Sequence, residues 1–342
     1  MRWLVFSIVV ISTVWGCSSA LAPGQFSDRN PYLQMQHANA LTFWRMRLFG
    51  DEPWADQYRE IAEQPELVPS QPVDLDALVN PPSQAQITWL GHATFLLQYR
   101  GINVITDPIL SERASPFSFA GPKRLQAAPL TVDQLPAIDW VVISHNHYDH
   151  LDTATIQALP SSVRYAVPLG LKAWFIEQGV AAAQVHEFDW WDDISIGSLT
   201  ITATPSQHWS ARSLWDRNDT LWASWLIQID DFTSWFAGDT GYNEVQFKQI
   251  GGYAGTIDVA MIPIGAYLPR WFMQPQHIDP SEALQMHQDV RAKHSLAMHW
   301  GTFPLAAEGL QQTQDDLSRA REQGQWPEQA VRIIAIGASV RF

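Results

Sequence analysis

One cysteine stands in this chain of 342 residues, so no intramolecular disulfide can staple it. Basic residues are scarce as well: 21 Lys and Arg face 35 Asp and Glu, for a formal charge of −14 and an isoelectric point near 5.1. That balance argues against a general affinity for nucleic acid, whose phosphates call for a basic face. The apolar run over residues 3–15 falls short of the roughly 20 residues a helix needs to span a bilayer. Internal repeats and low-complexity stretches are missing too. What is present is 46% apolar residues, enough for a large buried core, with 17 Trp and 15 Phe that mostly serve packing.

The N-terminus, MRWLVFSIVVISTVWGCSSA, carries one early charge at Arg2, an apolar stretch, then small residues and the sole cysteine, Cys17. This is the pattern of a secretory signal. VWGC resembles the lipobox of bacterial lipoproteins, although Trp15 departs from the usual second position. The resemblance implies a signal peptide over residues 1–17 and lipidation of Cys17. It places the chain in the bacterial cell envelope, on the outer membrane facing the periplasm. Residues 18–85, rich in Pro, Asn, Gln and Ser, read as an N-terminal extension with one helix near residues 34–49; His37 within it reads as structural. The catalytic-size domain is expected over residues 86–342.

The stretch ISHNHYDHLD, residues 143–152, organises the rest. The run before it is short, β-branched and apolar, which suits a buried strand. His145 and His147 would then point the same way from its end, because side chains alternate with period two. Asp149 and His150 would follow in the turn, and Asp152 would cap a helix over residues 153–159. Nitrogen and carboxylate donors this close together are what zinc or a similar first-row ion requires.

Short apolar runs recur downstream (YAVP, LTITATP, WASWLIQI, SWFAG, VAMIPI, SLAMHW, VRIIAIG), with helices expected over residues 169–178, 281–293 and 306–323. Asp279, Pro280 and Glu282 make a good helix start and Gly324 a good stop. Strands first, then strands alternating with helices, predict an α/β fold of two sheets packed face to face with helices outside. Three of these runs end on a donor: His208 after ATPSQ, Asp239 in FAGDTG and His299 in AMHWG.

HNHYDH, a later single His, GDTG and MHWG resemble the metallo-β-lactamase superfamily, and hence its four-layer αβ/βα sandwich. The words WLGHATFLL, TDPILSERASP, GPKR, TPSQHWSARSLWDRN, IPIGAYLPRWFM, QHIDPSEAL and MHWGTF resemble the N-acylphosphatidylethanolamine-hydrolysing phospholipase D family and its bacterial outer-membrane relatives. The resemblance implies two Zn²⁺, with Mn²⁺ or Fe²⁺ as alternatives. One ion falls to His145, His147 and His208, and the other to Asp149, His150 and His299, with Asp239 bridging. It implies a phosphodiesterase that releases phosphatidic acid and an N-acylethanolamine, with Asp149 handling the proton of the attacking water. Asp107 and His92 stand as partners behind the ligands, His92 equally as a packed core histidine. Tyr148 and His277 match substrate-contacting positions, and His277 could also donate a proton to the leaving oxygen. Leu268 stands where the family more often has glutamate. Arg212 and Arg217 are expected to pair with Asp216 and Asp219. The competing readings are a hydrolase of a lactone, a β-lactam or a soluble phosphodiester, and a lipoprotein scaffold without catalysis. The partners implied are a phospholipid substrate and, through the anchor, a membrane, with no nucleic acid.

Overall fold

The computed structural model describes residues 24–29, 42 and 53–342. The signal peptide, Cys17, His37 and the helix expected near residues 34–49 lie outside the described residues, except for Thr42, which is helical.

Two mixed sheets face each other. The first begins with an antiparallel meander, β1 (Gln86–Trp89), β2 (Phe95–Tyr99) and β3 (Ile102–Thr106), and continues with parallel strands β4 (Trp140–Val142), β5 (Arg164–Pro168) and β6 (Val185–Phe188). The second contains β7 (Asp193–Ile196), β8 (Leu199–Thr204), β9 (Ser224–Ile229), β10 (Phe232–Phe236), β11 (Ile257–Pro263) and β12 (Ala292–Met298). Its last three strands run parallel. A final strand, β13 (Ser339–Arg341), returns to pair with β1.

Alternation explains the layers. In β2, Leu97 faces the core between the sheets while Leu96 faces the opposite side; Val142 and Val141 of β4 divide the same way. Both faces are apolar because both are covered. Outside the first sheet, Ile156 of α3 (Thr153–Ala158) and Phe175 of α4 (Lys172–Glu177) close the outer core. Outside the second, α7 (Pro280–Asp289) lies against β11 and β12, and α5 (Gln246–Ala254) and α8 (Leu310–Gly324) pack on α7. Helix α7 starts as expected: the Asp279 carboxylate accepts from the N–H groups of Ser281 and Glu282, and the Glu282 carboxylate accepts from Asp279 N–H. The segment ahead of β1 is packed against the domain. It carries α1 (Gln57–Glu63) and α2 (Leu75–Val79), with Leu67 and Val68 in the inter-sheet core and Leu78 in the outer one.

Four expectations need correction. VRIIAIG is not a strand: Arg332 and Ile336 make single bridges, to Leu296 and Ser70, and positive φ at Val331 and Gly337 breaks the extended run. Helix α7 stops at Asp289 because the left-handed Arg291 (φ 58°) turns the chain into β12. Helix α8 begins at Leu310 rather than 306, and its left-handed cap is Gln325, with Gly324 still helical. Helix α4 begins at Lys172 rather than 169, after the turn at Gly170 (φ 91°); β6 and β7 are strands too polar for the sequence to announce.

Candidate metal centre

Every donor singled out above sits just past the end of a strand. Asp107 follows β3, the ISHNHYDH turn follows β4, His208 follows β8, Asp239 follows β10 and His299 follows β12. The turn after β10 needs glycine: Gly238 has φ 58°, and a Cβ there would meet Ser144 Cβ at 2.5 Å. This close approach sets Asp239 beside the turn that follows β4. Gly265, after β11, is packed so tightly on His299 that an added Cβ would lie 2.2 Å from the His299 carbonyl oxygen.

Two clusters result. His145, His147 and His208 form one; Asp149, His150 and His299 form the other, with His92 among them. In the first, His145 Nε2 lies 2.7 Å and His208 Nε2 3.3 Å from His147 Nδ1. Asp239 Oδ2 stands between the clusters, 3.8 Å from His208 Nε2 and 4.0 Å from His145 Nε2 on one side. On the other it is 3.2 Å from His150 Nε2 and 3.1 Å from His299 Nε2. Asp149 Oδ2 is 3.4 Å from His150 Nε2 and 3.3 Å from His299 Nε2.

The hydrogen bonds behind these rings fix which nitrogen faces inward. His150 donates from Nδ1 to Asp107 Oδ2 (2.6 Å), His145 from Nδ1 to Ser144 Oγ (2.9 Å), and His208 from Nδ1 to the Gln276 carbonyl (3.0 Å). Ser144 in turn donates its hydroxyl and its N–H to Asp107 (2.5 and 2.7 Å). Each of the three rings thereby turns its Nε2 toward the centre, the arrangement found behind metal-bound histidines. His92 donates from Nε2 to Asp149 Oδ2 (2.9 Å), so it is a partner of that carboxylate and not merely a packed core histidine.

The electrostatics call for positive charge at the same spot. Burial comes first among the causes that hold His147, His208 and His277 down to about 3 and His145 well below its usual value. Burial opposes charge on His150 and His299 too, but Asp239 and Asp149 outweigh it, raising His150 well above the usual range and His299 to about 9. Without cations, the carboxylates draw protons onto the rings that face them. Buried atoms left without a hydrogen-bond partner point the same way: His150 Nε2, Asp239 Oδ1 and His299 Nε2. Such groups are rarely left so in a folded protein unless something else fills their valence. The donor set, five imidazoles and two carboxylates, suits a pair of first-row divalent cations.

Around the centre, His277 lies with its ring centroid 5.2 Å from that of His208, and its Nδ1 is 3.9 Å from Asp239 Oδ2. Its side chain keeps 11% exposure and that of Asp149 15%, whereas His145, His150, Asp239 and His299 are essentially closed off. The hydroxyl of Tyr148 donates to the Arg212 carbonyl (2.9 Å), and the Arg212 guanidinium covers its ring at 4.1 Å. The pairing expected of Arg212 is not found. Its guanidinium instead donates to the carbonyls of Asn146 and Leu151 and to Thr153 Oγ1, fastening the 209–222 loop onto the metal-motif turn. Asp216 accepts from the Arg212 backbone N–H, and Arg217 lies 4.1 Å over the Trp209 ring. Arg270 pairs with Glu282 and Asp279 and donates to the His277 carbonyl.

Sequence reasoning missed three contributors. Ser144 links Asp107 to His145 and stands directly before the motif, the one positional hint available. Trp209 packs edge-on against His147, with centroids 4.2 Å apart. Glu308, fully buried, accepts from the N–H groups of Ala266 (2.5 Å) and Leu268 (3.0 Å), holding the loop that leads from Gly265 to His277.

A two-sheet αβ/βα sandwich that gathers histidine and aspartate at its strand ends defines a class of metal-binding folds. The chain belongs to the metallo-β-lactamase superfamily: the beta-lactamase superfamily domain model matches residues 102–300, which hold all seven donors. It is 43% identical over 228 residues to N-acyl-phosphatidylethanolamine-hydrolyzing phospholipase D 1 of Caenorhabditis elegans, covering 64% of each chain. Over 245 residues it is 35% identical to the mitochondrial N-acyl-phosphatidylethanolamine-hydrolyzing phospholipase D of Saccharomyces cerevisiae, covering 69% of this chain and 52% of that one. The chain thus spans less than two thirds of the length of these relatives. Among solved structures, a possible metal-dependent hydrolase from Veillonella parvula superposes with a TM-score of 0.62 at 18% identity, covering 76% of this chain and all of that one. Isothiocyanate hydrolase from Delia radicum gut bacteria gives 0.59 at 22% identity over 75% of this chain and 98% of that one. These two show the shared fold.

Proposed function

We propose that the protein is a metal-dependent phosphodiesterase of phospholipase D type, cleaving N-acylphosphatidylethanolamine-like lipids into phosphatidic acid and an N-acylethanolamine. The observation that carries this reading is the pair of clusters sharing Asp239, with His277 at their partly open rim. Similarity to phospholipases that hydrolyse N-acylphosphatidylethanolamine supports the substrate class.

His145, His147 and His208 would hold one ion, Asp149, His150 and His299 the other, and Asp239 both; zinc suits the set, and Mn²⁺ or Fe²⁺ would also fit it. Bound there, divalent ions would polarise a phosphoryl oxygen and lower the pKa of water to near neutrality. Asp149, held by the His92 N–H, would take the proton of the attacking water. His277 would meet a phosphoryl or leaving oxygen from the rim. The new bond joins water oxygen to phosphorus, the phosphorus–oxygen bond to the ethanolamide breaks, and a proton passes to the departing alkoxide.

The test is turnover of N-acylphosphatidylethanolamine in mixed micelles made up in ¹⁸O-labelled water. Label in phosphatidic acid is the expected result. Label in the ethanolamide would mean cleavage at carbon, label in free fatty acid would mean acyl hydrolysis, and either outcome defeats the proposal. Lipidation of Cys17, tethering the chain to the envelope beside such a substrate, belongs to the same reading.

A further inference from the structure

We infer that the arm ahead of the domain, residues 54–60, positions His277, and that Trp54 is the residue through which it does so. The inference rests on the proposed function for what His277 does, but not for how His277 is held. His277 stands on a stretch with little regular structure of its own. Helix α6 (Arg270–Met273) has only four residues, and residues 274–279 run from it to α7 without another element. A helix that short does not hold its shape alone, so the stretch depends on what packs against it.

Its anchor ahead of His277 is Met273. The Met273 carbonyl accepts from the N–H groups of Gln276 (2.9 Å) and His277 (2.8 Å), while beyond the histidine Ile278 N–H donates to the Thr240 carbonyl (2.9 Å). The Gln276 carbonyl is in turn the acceptor for His208 Nδ1 (3.0 Å). Where Met273 sits therefore sets both the His277 imidazole and the carbonyl that orients His208. Met273 belongs to a small apolar cluster with Ala266, Phe272 and Ala306, separate from the two sheet cores, and Trp54 packs against that cluster from the arm. Two links, one of packing and one of hydrogen bonds, thus join Trp54 to His277.

The arm is itself fastened, so Trp54 is held against the cluster by more than its own contacts. Ala307 and Glu308 lie between the arm and the loop that leads to α6, and each bonds to both. Ala307 N–H donates to the Leu268 carbonyl (3.2 Å), and its carbonyl accepts from Ala55 N–H (3.0 Å). The Glu308 carboxylate accepts from Ala266 and Leu268 N–H, and its carbonyl accepts from the Gln57 side-chain amide (2.7 Å). One turn further along α1, the Glu60 carboxylate accepts from Leu310 N–H at the start of α8 (2.6 Å). Arm, bracket and loop form one hydrogen-bonded stack, and Trp54 extends from it to Met273.

The test is a double-mutant cycle in the full chain: the parent, Trp54→Ala, His277→Ala and the two together, with Trp54→Phe as the conservative replacement. Turnover of N-acylphosphatidylethanolamine in mixed micelles gives kcat and KM, elemental analysis gives metal content, and amide hydrogen exchange reports on Gln276 and His277. Trp54→Ala should keep its ions and lose up to about 10²-fold in kcat, the scale of a misplaced catalytic group, with KM little changed. Exchange at Gln276 and His277 should quicken, and Trp54→Phe should restore most of both. With His277 already replaced, Trp54→Ala should add almost no further loss, because coupled residues are not additive. An equal loss in both backgrounds would overturn the inference, since Trp54 would then act independently of His277. Unchanged exchange at the two amides would overturn it as well. Quickened exchange throughout the domain, or loss of both ions, would make Trp54 an ordinary packing residue and likewise overturn it. Exchange is read without substrate, so local loosening in a protein that cleaves no lipid would defeat the proposed function and leave the hold on His277 standing.

Discussion

Replacing Asp107 tests whether the hydrogen bonds behind the ligands set the metal site. Its carboxylate accepts three bonds, from Ser144 N–H (2.7 Å), Ser144 O–H (2.5 Å) and His150 Nδ1–H (2.6 Å), and is fully buried. In Asp107→Asn one oxygen can still accept from Ser144 N–H, but the amide NH₂ then faces His150 and the Ser144 hydroxyl. His150 must turn its Nδ1 into an acceptor, which moves the ring proton to Nε2 and removes the lone pair facing Asp149 and Asp239. Loss of such a partner costs roughly 10- to 100-fold in metal affinity or activity. Asp107→Ala goes further and leaves all three buried donors without this acceptor, at about 1–3 kcal/mol each where none is regained. Chelator competition should therefore show weaker metal retention in both variants, at the His150 cluster before the His145 cluster. Urea unfolding of the metal-free proteins should rank Ala below Asn. Wild-type metal affinity in Asp107→Asn would refute the argument, because the tautomer of His150 would then not depend on Asp107.

Elemental analysis of protein purified without chelator should find two ions per chain, and Asp239→Ala should lose both together with turnover, since Asp239 Oδ2 faces both clusters; full activity with one ion or none would exclude the binuclear reading. His277→Ala should keep both ions but lose roughly 10²- to 10⁴-fold in turnover on the phospholipid, measured beside metal content. Glu308→Gln retains one acceptor for two N–H groups and should cost about 1–3 kcal/mol in urea unfolding, with faster hydrogen exchange at Ala266 and Leu268; unchanged exchange there would rule out its hold on the loop. Cys17→Ser should move the chain out of the membrane fraction or leave it as the longer precursor, by fractionation and intact mass.

The residues 143–152 were legible because their arrangement is local. One strand, one turn and one helix cap carry His145, His147, Asp149 and His150; the Asp152 cap is as expected, but β4 ends at Val142, so period-two alternation does not extend to His145 and His147. Sheet strands rich in apolar residues were legible for the same reason, and VRIIAIG failed because composition cannot report a positive φ at Val331. The sequence by itself nominated His208, Asp239 and His299 only as donors after apolar runs, brought together by resemblance. Their meeting is a tertiary fact, made by Gly238 against Ser144 and Gly265 against His299 across separate strands. Also decided only in three dimensions were the inward-facing Nε2 atoms, because the acceptors that fix each ring lie far off in the chain: Asp107 for His150, Gln276 for His208. The turn of Arg212 from its acidic neighbours to distant carbonyls belongs there too. Burial makes orphaned carbonyls costly, and this guanidinium is the donor that reaches them.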